Sequence, residues 1–141
     1  MMENKQSILI FKKYIVKEVT YITNESYAPK ENTKLDFDFE VSSSSNENGK
    51  NMEIELKVHI FKDALHNNYP FEMTLCIKVF FDIQTSDIDI KIFEKNAVAI
   101  LFPYLRALVS TYTANANVAP VILPTMNINS YLETKYKNTR P

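Results

Sequence analysis

Three stretches of this chain alternate polar and apolar residues one by one, and few folds can accept them. Lys34-Leu35-Asp36-Phe37-Asp38-Phe39-Glu40-Val41 is the first. The second puts Met52, Ile54, Leu56, Val58 and Ile60 on one side, with Glu53, Glu55, Lys57 and His59 on the other. The third runs Phe71, Met73, Leu75, Ile77, Val79, Phe81 and Ile83. A period of two belongs to a strand with one face buried and one face wet. A fourth run, Ile8 to Ile22, is β-branched and aromatic but loses its phase near Lys12-Lys13, which predicts a bulged or edge strand. Ser42 to Lys50 and Ala64 to Pro70 read as turns. Short polar turns between successive strands favour an antiparallel meander.

After these runs the period changes. Ala97, Ile100, Leu101, Tyr104, Leu105, Leu108, Val109 and Tyr112 follow a helix face. Asn96 is its expected N-cap, and Asn115 to Asn117 its end. Pro103 falls inside and predicts a kink, or a restart near Phe102. Asn127 then opens a short helix to about Tyr136. Four strands followed by helices make an α+β domain, one sheet layer and one helix layer, over residues 1–141.

The chemistry points to binding rather than catalysis. A single glycine, Gly49, excludes the Gly-rich loops that cradle phosphates. Cys76 is the only cysteine, so no internal disulfide forms. It falls on the polar side of its strand without a neighbouring base, and reads as a packed or interface thiol. His59 and His66 lack the converging partners of a metal site, so neither metal nor cofactor is expected. The carboxylates of the first alternating run match any solvated strand. Arg106 is the one charge between Lys95 and Glu133, and is expected to pair with an acid on the sheet. A net charge of −1 gives no footprint for nucleic acid. Ile8 to Phe11 is too short for a secretory signal, and no run approaches the roughly 18 apolar residues of a membrane span. The cytosol is the expected compartment.

The connector Val118 to Met126 is unusual, because connectors are normally polar and this one is mostly apolar. Three readings are open: packing in the core, burial between subunits, or lining a groove for an apolar ligand.

Ile100-Leu101-Phe102-Pro103-Tyr104-Leu105-Arg106, then an apolar loop and an Asn-capped helix, resembles the SecB family of export chaperones. Lys13 to Val19 looks like the family's first strand, and Lys34 to Asp38 like the start of its second. The resemblance implies a four-stranded antiparallel sheet, a long helix, a crossover loop and a second helix, assembled as a dimer of dimers. It implies an ATP-independent holdase, not an enzyme, that keeps unfolded preproteins translocation-competent and hands them to SecA. By position, Leu35, Phe37, Tyr131 and Leu132 match groove-lining places, and the apolarity of Ile122, Leu123 and Met126 adds them to the groove. Glu18 keeps one acidic SecA contact, whereas Ile22 and Thr74 stand where acids are expected. The last residues, Lys135 to Pro141, are basic where longer members carry an acidic tail. Relatives that serve the antitoxin of a toxin–antitoxin system offer the alternative partner.

Overall fold

The alternating runs become strands. In a computed structural model, which describes residues 9–45, 51–83 and 90–138, they form β1 (Leu9–Thr23), β2 (Phe37–Ser45), β3 (Asn51–Ile60) and β4 (Phe71–Ile83). Three helices complete the chain: α1 (Ala64–Asn67), α2 (Ile90–Ala114) and α3 (Ile128–Asn138). The apolar face of β3 and β4 is buried almost without exception, from Met52 to Ile60 and from Phe71 to Ile83. α2 covers it with Phe93, Ala97, Leu101, Leu105 and Val109, which recur at helical spacing and are all buried.

All neighbouring strands are antiparallel, but the order is β1-β4-β3-β2. This corrects the meander. Only β2, β3 and β4 follow one another; β1 returns beside β4. The connection from Asn24 to Asp36 is the reason, because it is far too long for a hairpin turn. Asn24 anchors its start by donating from Nδ2 to the carbonyls of Ala64 and Tyr69, at 3.1 and 3.0 Å. β1 and β2 are therefore the two edges of the sheet. β1 carries the expected bulge, a register shift between Phe11 and Lys13, and a second between Val16 and Glu18.

Other boundaries move. Ser42 to Ser45 continue β2 instead of forming a turn, paired with Glu55 to Met52. The rest of that expected turn, 46–50 with Gly49, lies outside the described residues, as does Ile8. The turn after β3 holds one helical turn, α1, between residues of positive φ (Phe61, Asp63 and Asn68). α2 starts six residues before Asn96, so Asn96 is inside the helix and not its cap. The helix runs through Pro103 as one element with no restart. It ends where expected, with Asn117 at φ 62°.

By length and hydropathy alone, Lys91–Ala114 is apolar enough to cross a membrane, contrary to expectation. In this fold one stripe of it, from Phe93 to Val109, lies on the sheet.

Candidate functional site

The connector after α2 is held in place by α2 itself. The Thr113 hydroxyl, fully buried, donates to Val109 O at 2.8 Å and accepts the Val121 N–H at 2.8 Å. The Ser110 hydroxyl donates to Val121 O at 2.9 Å, and Arg106 Nε donates to Leu123 O at 3.0 Å. Arg106 thus straps the loop to the helix, correcting the expected pairing with an acid on the sheet. The backbone groups of this apolar loop are satisfied by side chains, as burial requires. Replacing Thr113 with valine keeps the shape but removes the acceptor from the Val121 N–H. Thr113→Val should cost about 1–3 kcal/mol, read as a lower urea midpoint. A midpoint equal to wild type would mean that the loop is not held by this hydroxyl.

The strapped loop alternates in exposure. Leu123 is 0% exposed and belongs to the core, whereas Ile122 is 71% exposed and points away. Val118, Val121 and Met126 pack partly buried against the core. Asn127 then caps α3, accepting the Ser130 N–H on Oδ1 at 3.1 Å, as its position predicts.

An open cleft of about 520 Å³ lies where the loop enters α3, lined by Met126, Asn127, Ser130, Tyr131, Thr134 and Lys135. Aromatic rings back it. Tyr131 meets Phe39 edge-on at 5.5 Å between ring centres and lies 6.4 Å from Phe37, which is itself 5.4 Å from Phe39. Of the residues picked from sequence, the structure brings together Phe37, Met126 and Tyr131. Leu35 packs partly buried against the core. Leu123 and Leu132 are core side chains; Leu132, at 5% exposure, also lines a second open cleft beside α3. Ile122 stands out on the loop.

One carboxylate ties α3 to the sheet. Asp38 accepts from the Tyr131 hydroxyl at 2.9 Å, from Lys135 at 3.0 Å and from Lys62 at 3.2 Å. Burial pushes its pKa up, but the Lys135, Tyr131 and Lys62 donors outweigh that and hold it below the ordinary carboxylate range. Burial and the Asp38 carboxylate raise the Tyr131 phenol in turn. At neutral pH the site is therefore an ionised acid between two lysines with an intact phenol. Lys135 and Tyr136 then reach the backbone of β2, at Phe39 and Val41. Lys135 follows Tyr131 by one helical turn, a spacing that could have flagged it.

Among the described residues the histidines and the cysteine stand apart from one another. His59 lies on the wet sheet face between Thr74 Oγ1 at 3.1 Å and Glu40 at 3.4 Å, and His66 pairs with Asp63 at 2.6 Å near α1. Among the described residues no three metal-ligating side chains converge. Cys76 is buried, and burial pushes its thiol up, away from the thiolate a nucleophile needs.

The sequence matches the family described as preprotein translocase subunit SecB over residues 2–139. The chain belongs to the SecB family. The resemblance carried by Ile100 to Arg106 is thereby borne out, and SecB proteins form a chaperone family, not an enzyme family. An uncharacterized protein of Methanocaldococcus jannaschii is 37% identical over 139 residues, which span 93% of this chain and 89% of that protein. Among solved structures, a SecB-like chaperone of Mycobacterium tuberculosis in complex with a ChAD peptide from the HigA1 antitoxin has a TM-score of 0.66. That match is at 13% identity and covers 84% of this chain and 87% of the other. A protein of unknown function from Streptococcus agalactiae has a TM-score of 0.51 at 19% identity, over 83% of this chain and 97% of its own. These two share the α+β architecture of a four-stranded antiparallel sheet and helices. In SecB terms, the expected partner contact Glu18 is exposed on β1, opposite Cys76. Ile22, 56% exposed, and Thr74 share its strand pair.

Proposed function

We propose that this SecB-family chain is an ATP-independent holdase of the cytosol that keeps unfolded polypeptides, export precursors among them, from aggregating. The observation that carries the reading is the open cleft beside α3, lined by Met126 and Tyr131, with the Phe37 ring 6.4 Å from that of Tyr131. Aromatic rings and a flexible thioether accept many apolar side chains, because burial is non-directional and methionine adapts its shape. At about 25 cal/mol per Å² of apolar area, several shallow contacts hold a client without a sequence code. The absence of a glycine-rich phosphate loop from the sequence agrees with a cycle that does not use nucleotide. Repetition of the cleft in a dimer of dimers would give a long client several simultaneous contacts.

The test is light scattering from a denatured client diluted into the purified protein without nucleotide. Near-stoichiometric chaperone should suppress most of the scattering. Unchanged aggregation would sink the proposal.

A second reading concerns the partner. The antitoxin peptide bound to the Mycobacterium tuberculosis relative supports a chaperone dedicated to one antitoxin. The wet sheet face pairs Lys17 with Glu55 at 2.5 Å and Lys78 with Glu53 at 3.0 Å, and mixes these charges with exposed Ile22. Glu18 there is the residue to probe for SecA contact. Co-purification from the native cell separates the readings: a spread of precursors with SecA supports export, and one dominant partner supports the antitoxin role.

A further inference from the structure

Backbone strain is concentrated at one end of the sheet. Among the described residues, five non-glycine residues have positive φ. Four of them, Asn32, Phe61, Asp63 and Asn68, lie in the β1–β2 connection or in the turn after β3. Phe61, at φ 55°, is the least expected, because a bulky side chain resists the left-handed region. It is buried, with its ring 4.7 Å from that of Tyr69 and 5.2 Å from that of Phe71. Such conformations persist only where the surroundings over-determine them, and they gather at functional sites.

The surroundings here include two asparagines. Asn24, just past the end of β1, donates from Nδ2 to Ala64 O and Tyr69 O and accepts the Ser26 N–H on Oδ1 at 3.0 Å. Its backbone N–H donates to Pro70 O at 3.0 Å. Asn68, in the turn, accepts the Ala28 N–H on Oδ1 and donates from Nδ2 to Ala28 O, both at 2.9 Å. A carboxamide that exchanges two bonds with one residue acts as a neighbouring strand would. Asparagine serves twice at position 68, since it also tolerates the left-handed backbone. Phe61 N–H then donates to Asp36 O at 2.9 Å. The turn thus grips the connection at its start, at Ala28 and at its end. Asp36 sits between Leu35 and Phe37, both packed partly buried against the core. Holding the Asp36 carbonyl fixes the stretch that carries both side chains.

We propose that Asn24 and Asn68 are positioning residues for client binding: they close a strained clasp between the β1–β2 connection and the turn after β3, and the clasp presets Leu35 and Phe37. The proposal rests on the holdase reading, and specifies how one part of the client surface is ordered in advance. Neither asparagine needs to touch the client. A surface already ordered spends no binding energy on its own ordering. The strain at Phe61, Asp63 and Asn68 gives the clasp a second, open state, in which the turn relaxes and the connection comes free with Leu35 and Phe37 at its far end. Only the closed state binds well, so apparent affinity scales with the closed fraction.

Two variants of the whole protein test this. Asn68→Gly keeps the left-handed backbone, which glycine accepts readily, and removes both bonds to Ala28. Asn24→Asp is an isostere that keeps the Ser26 bond and removes both Nδ2 donors. Amide hydrogen exchange reads the clasp directly. Each variant should lose protection at the Phe61 amide by at least about tenfold, although neither substitution removes the Phe61–Asp36 bond itself. Affinity for a labelled, permanently unfolded client (reduced and carboxymethylated lysozyme) should fall about fivefold in both. The melting curve of Asn68→Gly should stay that of wild type, which separates positioning from a general loss of stability. Unchanged Phe61 protection in both variants would overturn the clasp. Lost protection with unchanged affinity would overturn the positioning role and leave the holdase reading intact. A wild type that binds no client and leaves aggregation unaffected would overturn both together.

Discussion

Replacing Phe39 with alanine should lower stability by about 3–5 kcal/mol, the range for truncating a buried phenylalanine. Phe39 is 0% exposed on β2 and stacks edge-on against Phe102 of α2 and Tyr131 of α3, each at 5.5 Å. It is the ring on which sheet, long helix and last helix meet. The cavity would open under all three, and neither helix can collapse into it while Arg106 and Thr113 hold the connecting loop. Since a domain is stable by only about 5–15 kcal/mol, the loss takes a large part of the total. Urea unfolding at fixed protein concentration should show the midpoint falling by roughly 1–3 M with an unchanged slope. Phe37→Ala, on the same strand but only partly buried, is the control and should lose less than half as much. Equal losses for the two would mean that Phe39 is not the junction.

That pair also shows what alternation can and cannot tell. Phe37 and Phe39 fall on one face by period alone, but which of them is covered depends on where α2 and α3 land. The strands were legible because each residue of β3 and β4 obeys the same rule. Their order was not. Alternation fixes a face and never a partner, and only the long Asn24–Asp36 connection hints that β1 must look elsewhere. The early start of α2 had a signal: Phe93 extends the series Ala97, Leu101, Leu105 by one more turn. The cleft was half legible. Tyr131 and Met126 reach it, yet Leu123 falls into the core, because the loop's phase is set by hydrogen bonds from Arg106, Ser110 and Thr113. Periodicity carries no trace of such bonds. Tyr136 was hidden for a related reason: a tyrosine near a helix end reads as solvated until the strand edge beneath it is known.

The second large effect is expected at the opposite edge. That edge is β1. Its core-side residues Phe11, Tyr14, Val16 and Val19 lie beyond the cover of α2 and are exposed. Tyr104, 44% exposed on α2, extends the same surface, 5.4 Å from Tyr14 and 6.4 Å from Phe11 between ring centres. A long apolar edge strand left open is a template for indefinite association. A two-fold contact, in which the same patch meets itself, closes it. That argument makes β1 and α2 the expected contact between copies, with Tyr14 and Tyr104 as its aromatic anchors. Val16→Lys combined with Tyr104→Glu should therefore weaken self-association by at least about 30-fold, since a central aromatic anchor is typically worth 2 kcal/mol or more. Because Val16 is 38% and Tyr104 44% exposed in the single chain, the fold should survive with its melting still cooperative, in an assembly of lower mass than wild type. Light scattering across micromolar concentrations reads the result. A wild type that is already monomeric there, or a double variant with unchanged mass, would place the contact elsewhere. The comparison with Phe39→Ala is informative in itself: one substitution opens a cavity in the core and should lower the urea midpoint, whereas the other charges the open edge and should only part the copies.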